Sequence, residues 1–302
     1  MDKHVSNPSQ LYAIRRYEMN EGPAKGIRLI EIDNGTLRLL INESRGLDIF
    51  EACYKGQNLS FISKNGLNNL TGDFVKRFEG GSLYTVGLDS AGVREGFPLH
   101  GSYHLLAPER VNILESEDAI EVVGEIRDSA LFGKNLLLKR RIRLAKNESL
   151  VSVSDTLVNE GDKDEDYCLL YHCNFGYPFL SEDCALSFKE KSILSRTPKA
   201  KENLPSLKSF SRPIDNEFES VYFIDLKTPE VKVRNHEVEL TFSFLNENMP
   251  HFVLWKSCAS HDYALGLEPT TTFLDDKFAY SSIKKGQALS FGFAFSIKDI
   301  ED

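Results

Sequence analysis

The feature that most constrains this chain is its period-two hydrophobic patterning, which recurs from Ile27 to Ile297 with almost no stretch of helical spacing. Alternation sets apolar side chains on one face of an extended strand, so such a chain must build sheet and bury one side of it. Ile27-Arg28-Leu29-Ile30-Glu31-Ile32 alternates, Asp33-Asn34-Gly35 turns, and Leu37-Arg38-Leu39-Leu40-Ile41 runs back. Asn-Gly tolerates the positive φ angles of a tight hairpin, which makes this the clearest local signal. A strand is expected after Ser44-Arg45-Gly46-Leu47-Asp48, through Phe50 and Cys53, and a short one at 83–88. Residues 110–114, 119–126, 136–144 and 150–157 read as antiparallel strands with short polar connectors, and 168–175 as an apolar strand carrying His172. Further strands are expected at 221–226, 231–233, 238–244, 252–256, 263–267 and 288–297. Residues 1–25 read as irregular and 58–81 as a long loop; 189–217 reads as a surface excursion and 273–278 as a short helical turn. About fifteen strand candidates and so few amphipathic helices exclude a dinucleotide-binding fold and a barrel of alternating strands and helices. The expected architecture is all-β, a large antiparallel β-sandwich forming a single domain over residues 1–302.

Composition agrees with that reading and narrows the partners. Twenty Phe and 11 Tyr favour sheet packing over a helical bundle. The formal charge of -9 repels phosphate backbones, so nucleic acid is not an expected partner. Five cysteines at 53, 168, 173, 184 and 258, with no CxxC pair, argue against a disulfide framework and a zinc knuckle. No leader-like apolar segment follows Met1, and no apolar run approaches the ~18 residues of a membrane span, so a cytoplasmic, membrane-free protein is expected.

Chemistry concentrates in three short segments: Leu99-His100-Gly101-Ser102-Tyr103-His104, Tyr171-His172-Cys173-Asn174 and Leu265-Gly266-Leu267-Glu268-Pro269. Each sets a His or Glu against apolar neighbours, and desolvation is what gives such a group a working pKa. His100 can hold or release a proton, with Gly101 allowing close backbone approach; a loop-capping hydrogen bond is the plainer alternative. His104, four residues on, is equally open to a structural role. His172 lies within a strand, where partial burial favours its neutral form, and Asn174 projects to the same side and could hydrogen-bond a sugar hydroxyl. Glu268 is read as a carboxylate at a strand end facing a cleft, and Arg77 as a fork for hydroxyls or a carboxylate. Trp255, Phe273 and Tyr280 could floor such a site or simply fill the core. No GxGxxG after a strand, HExxH or GxSxG occurs, and His100 and His104 do not form the HxH of a β-rich metal site. No metal or other cofactor is expected.

The motifs as a set resemble the galactose-mutarotase-like superfamily, and most closely its bacterial branch DUF4432. The matching pieces are Ser-Arg-Gly-Leu-Asp-Ile at 44–49, Arg77 followed by Gly80-Gly81-Ser82-Leu83, and Thr85-Val86-Gly87-Leu88. Leu-His-Gly at 99–101, Ala107-Pro108-Glu109, Leu131-Phe132-Gly133, Tyr-His-Cys-Asn-Phe-Gly-Tyr-Pro at 171–178 and Gly-Leu-Glu-Pro at 266–269 follow in order. The resemblance implies a β-sandwich with a sugar cleft on one concave sheet and an aldose 1-epimerase-like isomerase working without a cofactor. It implies His172 as general acid, Glu268 as general base, His100 as an assisting imidazole and Arg77 on sugar oxygens. Asn174, His104, Tyr177 and Asp48 are expected with the substrate-binding group, although the 45–48 motif is equally open to a structural role. The family's further Asp, between acid and base, has no confident match; Asp215 and Asp225 are candidates. The expected partner is a small sugar or sugar derivative, and the chain a monomer or homodimer. A carbohydrate-binding protein without chemistry, or another isomerase or lyase acting on a modified sugar, are the alternatives.

Overall fold

The computed structural model describes residues 3–300. Its strands assemble into three antiparallel sheets. The first is a five-stranded meander of Ala13–Glu18, Arg28–Asp33, Leu37–Asn42, Ile49–Tyr54 and Gln57–Asn58, in that order. The Asn-Gly hairpin forms as its residues require. Asn34 Oδ1 accepts from the backbone of Thr36 at 3.0 Å and Leu37 at 2.7 Å, and Asp33 Oδ1 from that of Gly35 at 2.7 Å. Ala13–Glu18 lies inside the segment expected to be irregular. It is an edge strand with only Ala13 fully buried, so no alternation marked it.

The second sheet has eight strands. Ala288–Asp299 and Leu150–Asn159 pair at its centre, with Asn135–Ala145, Ala119–Ser129 and Arg110–Glu115 following on one side. On the other side come Val238–Phe244, Glu230–Arg234 and Ala185–Ser187. The third sheet carries Glu190–Ser195, Ser220–Leu226, His251–Ala259, Asp262–Thr270 and Glu165–Gly176, with Tyr84–Leu88 and Ser281–Ile283 both on the far edge of Glu165–Gly176. Glu190–Ser195 and the short helix Pro198–Glu202 correct the reading of 189–217 as a pure loop. Residues 273–278 form turns and bends rather than a helical turn.

The second and third sheets face each other through aromatic rings. Tyr171 and Phe293 lie 5.2 Å apart, Tyr167 and Phe291 5.9 Å, and Phe175 and Phe295 6.0 Å. Strand periodicity divides Glu165–Gly176 between two environments. Leu169, Tyr171, Cys173 and Phe175 enter the main core, while Cys168 and Leu170 join a second apolar cluster on the opposite face with Tyr84, Val221 and Val253. His172 belongs to that second face.

A buried cation ties the layers together. Arg140, on Asn135–Ala145, donates to Asp155 Oδ2 at 2.7 Å, Asp48 Oδ1 at 2.5 Å, Thr85 Oγ1 at 2.9 Å and the Gly46 carbonyl at 2.9 Å. Tyr171 Oη donates to the same Asp155 oxygen at 2.8 Å, and Thr85 bonds Asp48 through both its backbone and its hydroxyl. Asp48 is therefore a structural anchor, not a substrate ligand: both its oxygens are engaged inside the protein. All five cysteines are free, and no helix among the described residues is long and apolar enough to cross a membrane.

Replacing Arg140 with Met leaves Asp48 and Asp155 buried without their cation. The expected loss in urea unfolding is about 3–5 kcal/mol, the range for breaking a buried ion pair from one side. A loss below about 1 kcal/mol would show that the cluster is not what holds the sheets together.

Candidate active site

The outer face of the third sheet floors a cavity of about 710 Å³, a volume suited to a small polar ligand. The segment 61–78 and the loop around His100 wall it, with Phe74 and Phe78 packed over the floor.

The register of two strands brings the principal groups together. Leu170 pairs with Thr270 and Cys173 with Leu267, so the same alignment sets His172 opposite Glu268. His172 Nε2 lies 3.3 Å from Glu268 Oε1, and both line the cavity. Gly266 makes the room: a Cβ there would sit 2.5 Å from Glu268 Oε1 and 3.0 Å from Trp255 Cβ.

Asn174 determines which imidazole nitrogen carries the proton. Its Nδ2 is occupied by the carbonyls of His172 at 2.8 Å and Gly81 at 3.0 Å, so its Oδ1 faces His172 Nδ1 at 2.5 Å. Nδ1 therefore donates, and in the neutral ring Nε2 presents a lone pair toward Glu268. Burial pushes His172 down to about 4, with the Asn174 hydrogen bond opposing. Burial also drives Glu268 well above the usual carboxylate range, reinforced by the charge of Glu219 and opposed by Arg196. Burial thus moves both groups toward their uncharged forms.

His100 has the opposite tautomer. It sits in the left-handed region at φ 63, held by a backbone bond to the Gly92 carbonyl at 3.1 Å, and its Nδ1 accepts from Gly92 N at 3.3 Å. The neutral ring thus carries its proton on Nε2, and it remains neutral because burial lowers its pKa to about 3, aided by the two nearby imidazoles and Arg196. Its ring centroid lies 6.0 Å from that of His172, and it lines the cavity.

The remaining expectations divide. Arg77 does not line the cavity. It is fully buried beside Tyr84, Arg45 and Glu79, and its neighbour Lys76 lines the cavity instead. Successive residues on a helical turn point about 100° apart, so the phase of Phe74–Arg77 exchanges the two. His104 is buried outside the cavity, its ring 5.6 Å from Phe74 and 5.2 Å from Tyr84, where it supports the wall. Asn174 is fully buried and orients His172 rather than reaching a sugar. Tyr177 is 73% exposed and lies outside the cavity. Asp215 and Asp225 are also outside it; Asp225 pairs with Lys191 at 3.2 Å and Asp215 accepts from Ser260 at 2.5 Å. Trp255 lines the floor, whereas Phe273 and Tyr280 do not.

Five further charged cavity residues carried no signal in sequence: Lys64, Arg196, Glu217, Glu219 and Asp262. Lys64 and Asp262 pair at 2.7 Å, and Trp255 Nε1 donates to Glu219 Oε2 at 2.7 Å. Each stands in ordinary polar sequence, and only the fold assembles them. Among the described residues no group of three or more His, Cys, Asp or Glu side chains is arranged to hold a metal.

Known structures share this architecture. A Klebsiella pneumoniae protein provisionally described as an aldose 1-epimerase superposes with a TM-score of 0.86 at 20% identity, over 96% of this chain and 86% of that one. A galactose mutarotase-like protein of Clostridium acetobutylicum gives 0.67 at 16% identity, over 96% and 100%. A galactose 1-epimerase of Lactobacillus acidophilus gives 0.67 at 12%, over 95% and 99%. No curated protein sequence matches the chain. The family model for the domain of unknown function DUF4432 matches residues 24–285, and the chain belongs to that family, with the galactose-mutarotase-like fold.

Proposed function

We propose that the cavity interconverts the anomers of an aldose by general acid–base ring opening. The observation that carries this reading is the His172–Glu268 pair, 3.3 Å apart on the floor of the cavity. Mutarotation requires one acid and one base that exchange roles, so one shared proton is the inventory the reaction needs. The epimerase descriptions of proteins with this fold support the same chemistry.

With the proton on His172 Nε2, Glu268 is a carboxylate able to take the proton of the C1 hydroxyl. His172 delivers its proton to the ring oxygen, the C1–ring oxygen bond breaks and an aldehyde forms. The proton from C1–OH now rests on Glu268, and His172 is neutral. Rotation about the C1–C2 bond and the reverse transfers close the ring on either face. The resting pair is uncharged, so the step begins when the proton moves from Glu268 to His172 Nε2, and the ring-open state returns the uncharged pair that burial favours. His100 donates from Nε2 to the ring oxygen or an adjacent hydroxyl, and Trp255 offers a stacking face.

Exchange NMR of anomers across a panel of aldoses tests the proposal. Acceleration over buffer is expected for at least one sugar, with Glu268→Gln and His172→Asn each lowering kcat by about 10²- to 10⁴-fold and KM far less. Absence of acceleration on every sugar, or full activity in both variants, would contradict it. The pH profile is a second test. A neutral His172 gains a second proton only near pH 4, so kcat/KM is expected to stay level through the ordinary imidazole range near ~6.5 and fall toward pH 4. An acid limb centred near ~6.5 would contradict the burial argument.

A further inference from the structure

The floor of the cavity ends in a cation that the ring-opening chemistry does not use. Asn174 pairs with Gly266, Gly266 with Trp255, and Trp255 with Val221, which defines one row across the sheet. Arg196 closes the row, its backbone N–H donating to the Val221 carbonyl at 2.9 Å. It lines the cavity, and among the described residues its one side-chain hydrogen bond is a long one, from Nη2 to the Leu274 carbonyl at 3.5 Å.

The charges around it are accounted for differently. Lys64 is paired with Asp262, Glu217 with Lys199 at 3.0 Å, and Glu219 is held by the Trp255 indole. Among the described residues Arg196 takes part in no ion pair, although its field reaches both His100 and Glu268. Lys76 is a second cavity cation without an acidic partner among those residues. Arg196 is exposed at the edge of the cavity, and a guanidinium there presents a planar fork that matches a carboxylate or phosphate better than a neutral hydroxyl.

Its position says which end of a sugar it would meet. Three strand spacings, about 14 Å, separate the Arg196 strand from that of Glu268. The arginine side chain spans part of that distance, and a sugar ring lying over Trp255 with its anomeric carbon at Glu268 spans the rest.

We propose that Arg196 receives an anionic substituent carried at the end of the sugar remote from the anomeric carbon, so that the substrate is an acidic aldose: a uronate or a sugar phosphate. The orientation rests on the anomer chemistry proposed above; the anion site does not.

Calorimetric titration of the whole protein tests it without requiring turnover. The probes are the gluco, galacto and manno uronates, the corresponding 6-phosphates and the neutral parent sugars, with wild type, Arg196→Gln and Arg196→Lys. At least one acidic sugar is expected to bind more tightly than its neutral parent. Arg196→Gln should weaken that sugar about 10- to 100-fold and its parent much less, with Arg196→Lys intermediate. Preference for uronate or for phosphate identifies the anion. Equal binding of neutral and acidic forms, no binding of any acidic form, or indifference of the acidic form to Arg196→Gln would overturn the inference. Anomer exchange of the same sugars separates the two readings. An acidic sugar bound through Arg196 but not interconverted would leave the anion site standing and refute the ring-opening chemistry; acidic and neutral aldoses alike interconverted as well by Arg196→Gln as by wild type would do the reverse.

Discussion

Burial of Arg140 is the constraint on which the rest of the structure depends. A guanidinium with no access to solvent is tolerated only when opposing charges and hydrogen bonds surround it, because an unpaired buried charge costs several kcal/mol. Here the partners come from separate elements: Asp155 from the adjoining strand, Asp48 and Gly46 from the loop joining Leu37–Asn42 to Ile49–Tyr54 in the first sheet, and Thr85 from a strand of the third. The full set of partners is present only when all three sheets are in place. Tyr171, bonded to Asp155, is the residue before His172, and Thr85 follows Tyr84, whose ring packs against Phe74 and Phe78 in the cavity wall. The active face is thus positioned from beneath by a polar cluster it never touches.

Above that anchor, strand alternation does the chemical work. One side of Glu165–Gly176 fills the sandwich, and the other presents a histidine to an apolar cavity. The antiparallel register then sets a glutamate directly across from it. Burial acts with opposite sign on the two groups, lowering the imidazole and raising the carboxyl, so both tend to the uncharged form. Asn174, with its amide nitrogens committed to backbone carbonyls, turns this into a directed arrangement by fixing the proton on Nδ1.

Much of this was legible in the sequence, for identifiable reasons. Alternation marked most of the sheet, and apolar flanks marked His172, Glu268 and His100, because burial has a local compositional signature. What was not legible depended on phase or on long-range assembly. Lys76 and Arg77 are adjacent basic residues, and only the orientation of one helical turn decides which enters the cavity. Asp48 looked like a ligand because it stands in a distinctive motif, yet the motif serves Arg140, 92 positions away. Arg196 and Glu219 lie in polar stretches with no pattern, and come to line one cavity only where an edge strand and its neighbour are laid side by side. Ala13–Glu18 escaped notice since an exposed edge strand needs no alternation.

The central claim is that His172 and Glu268 hold one proton between them, with the imidazole neutral and protonated on Nδ1. Nitrogen-15 NMR of the histidine rings reads this directly. Between about pH 5 and 7, His172 should show a protonated Nδ1 and a bare Nε2, while His100 shows the reverse. An imidazolium signal for His172 across that range, or a proton on Nε2 in place of Nδ1, would contradict the account.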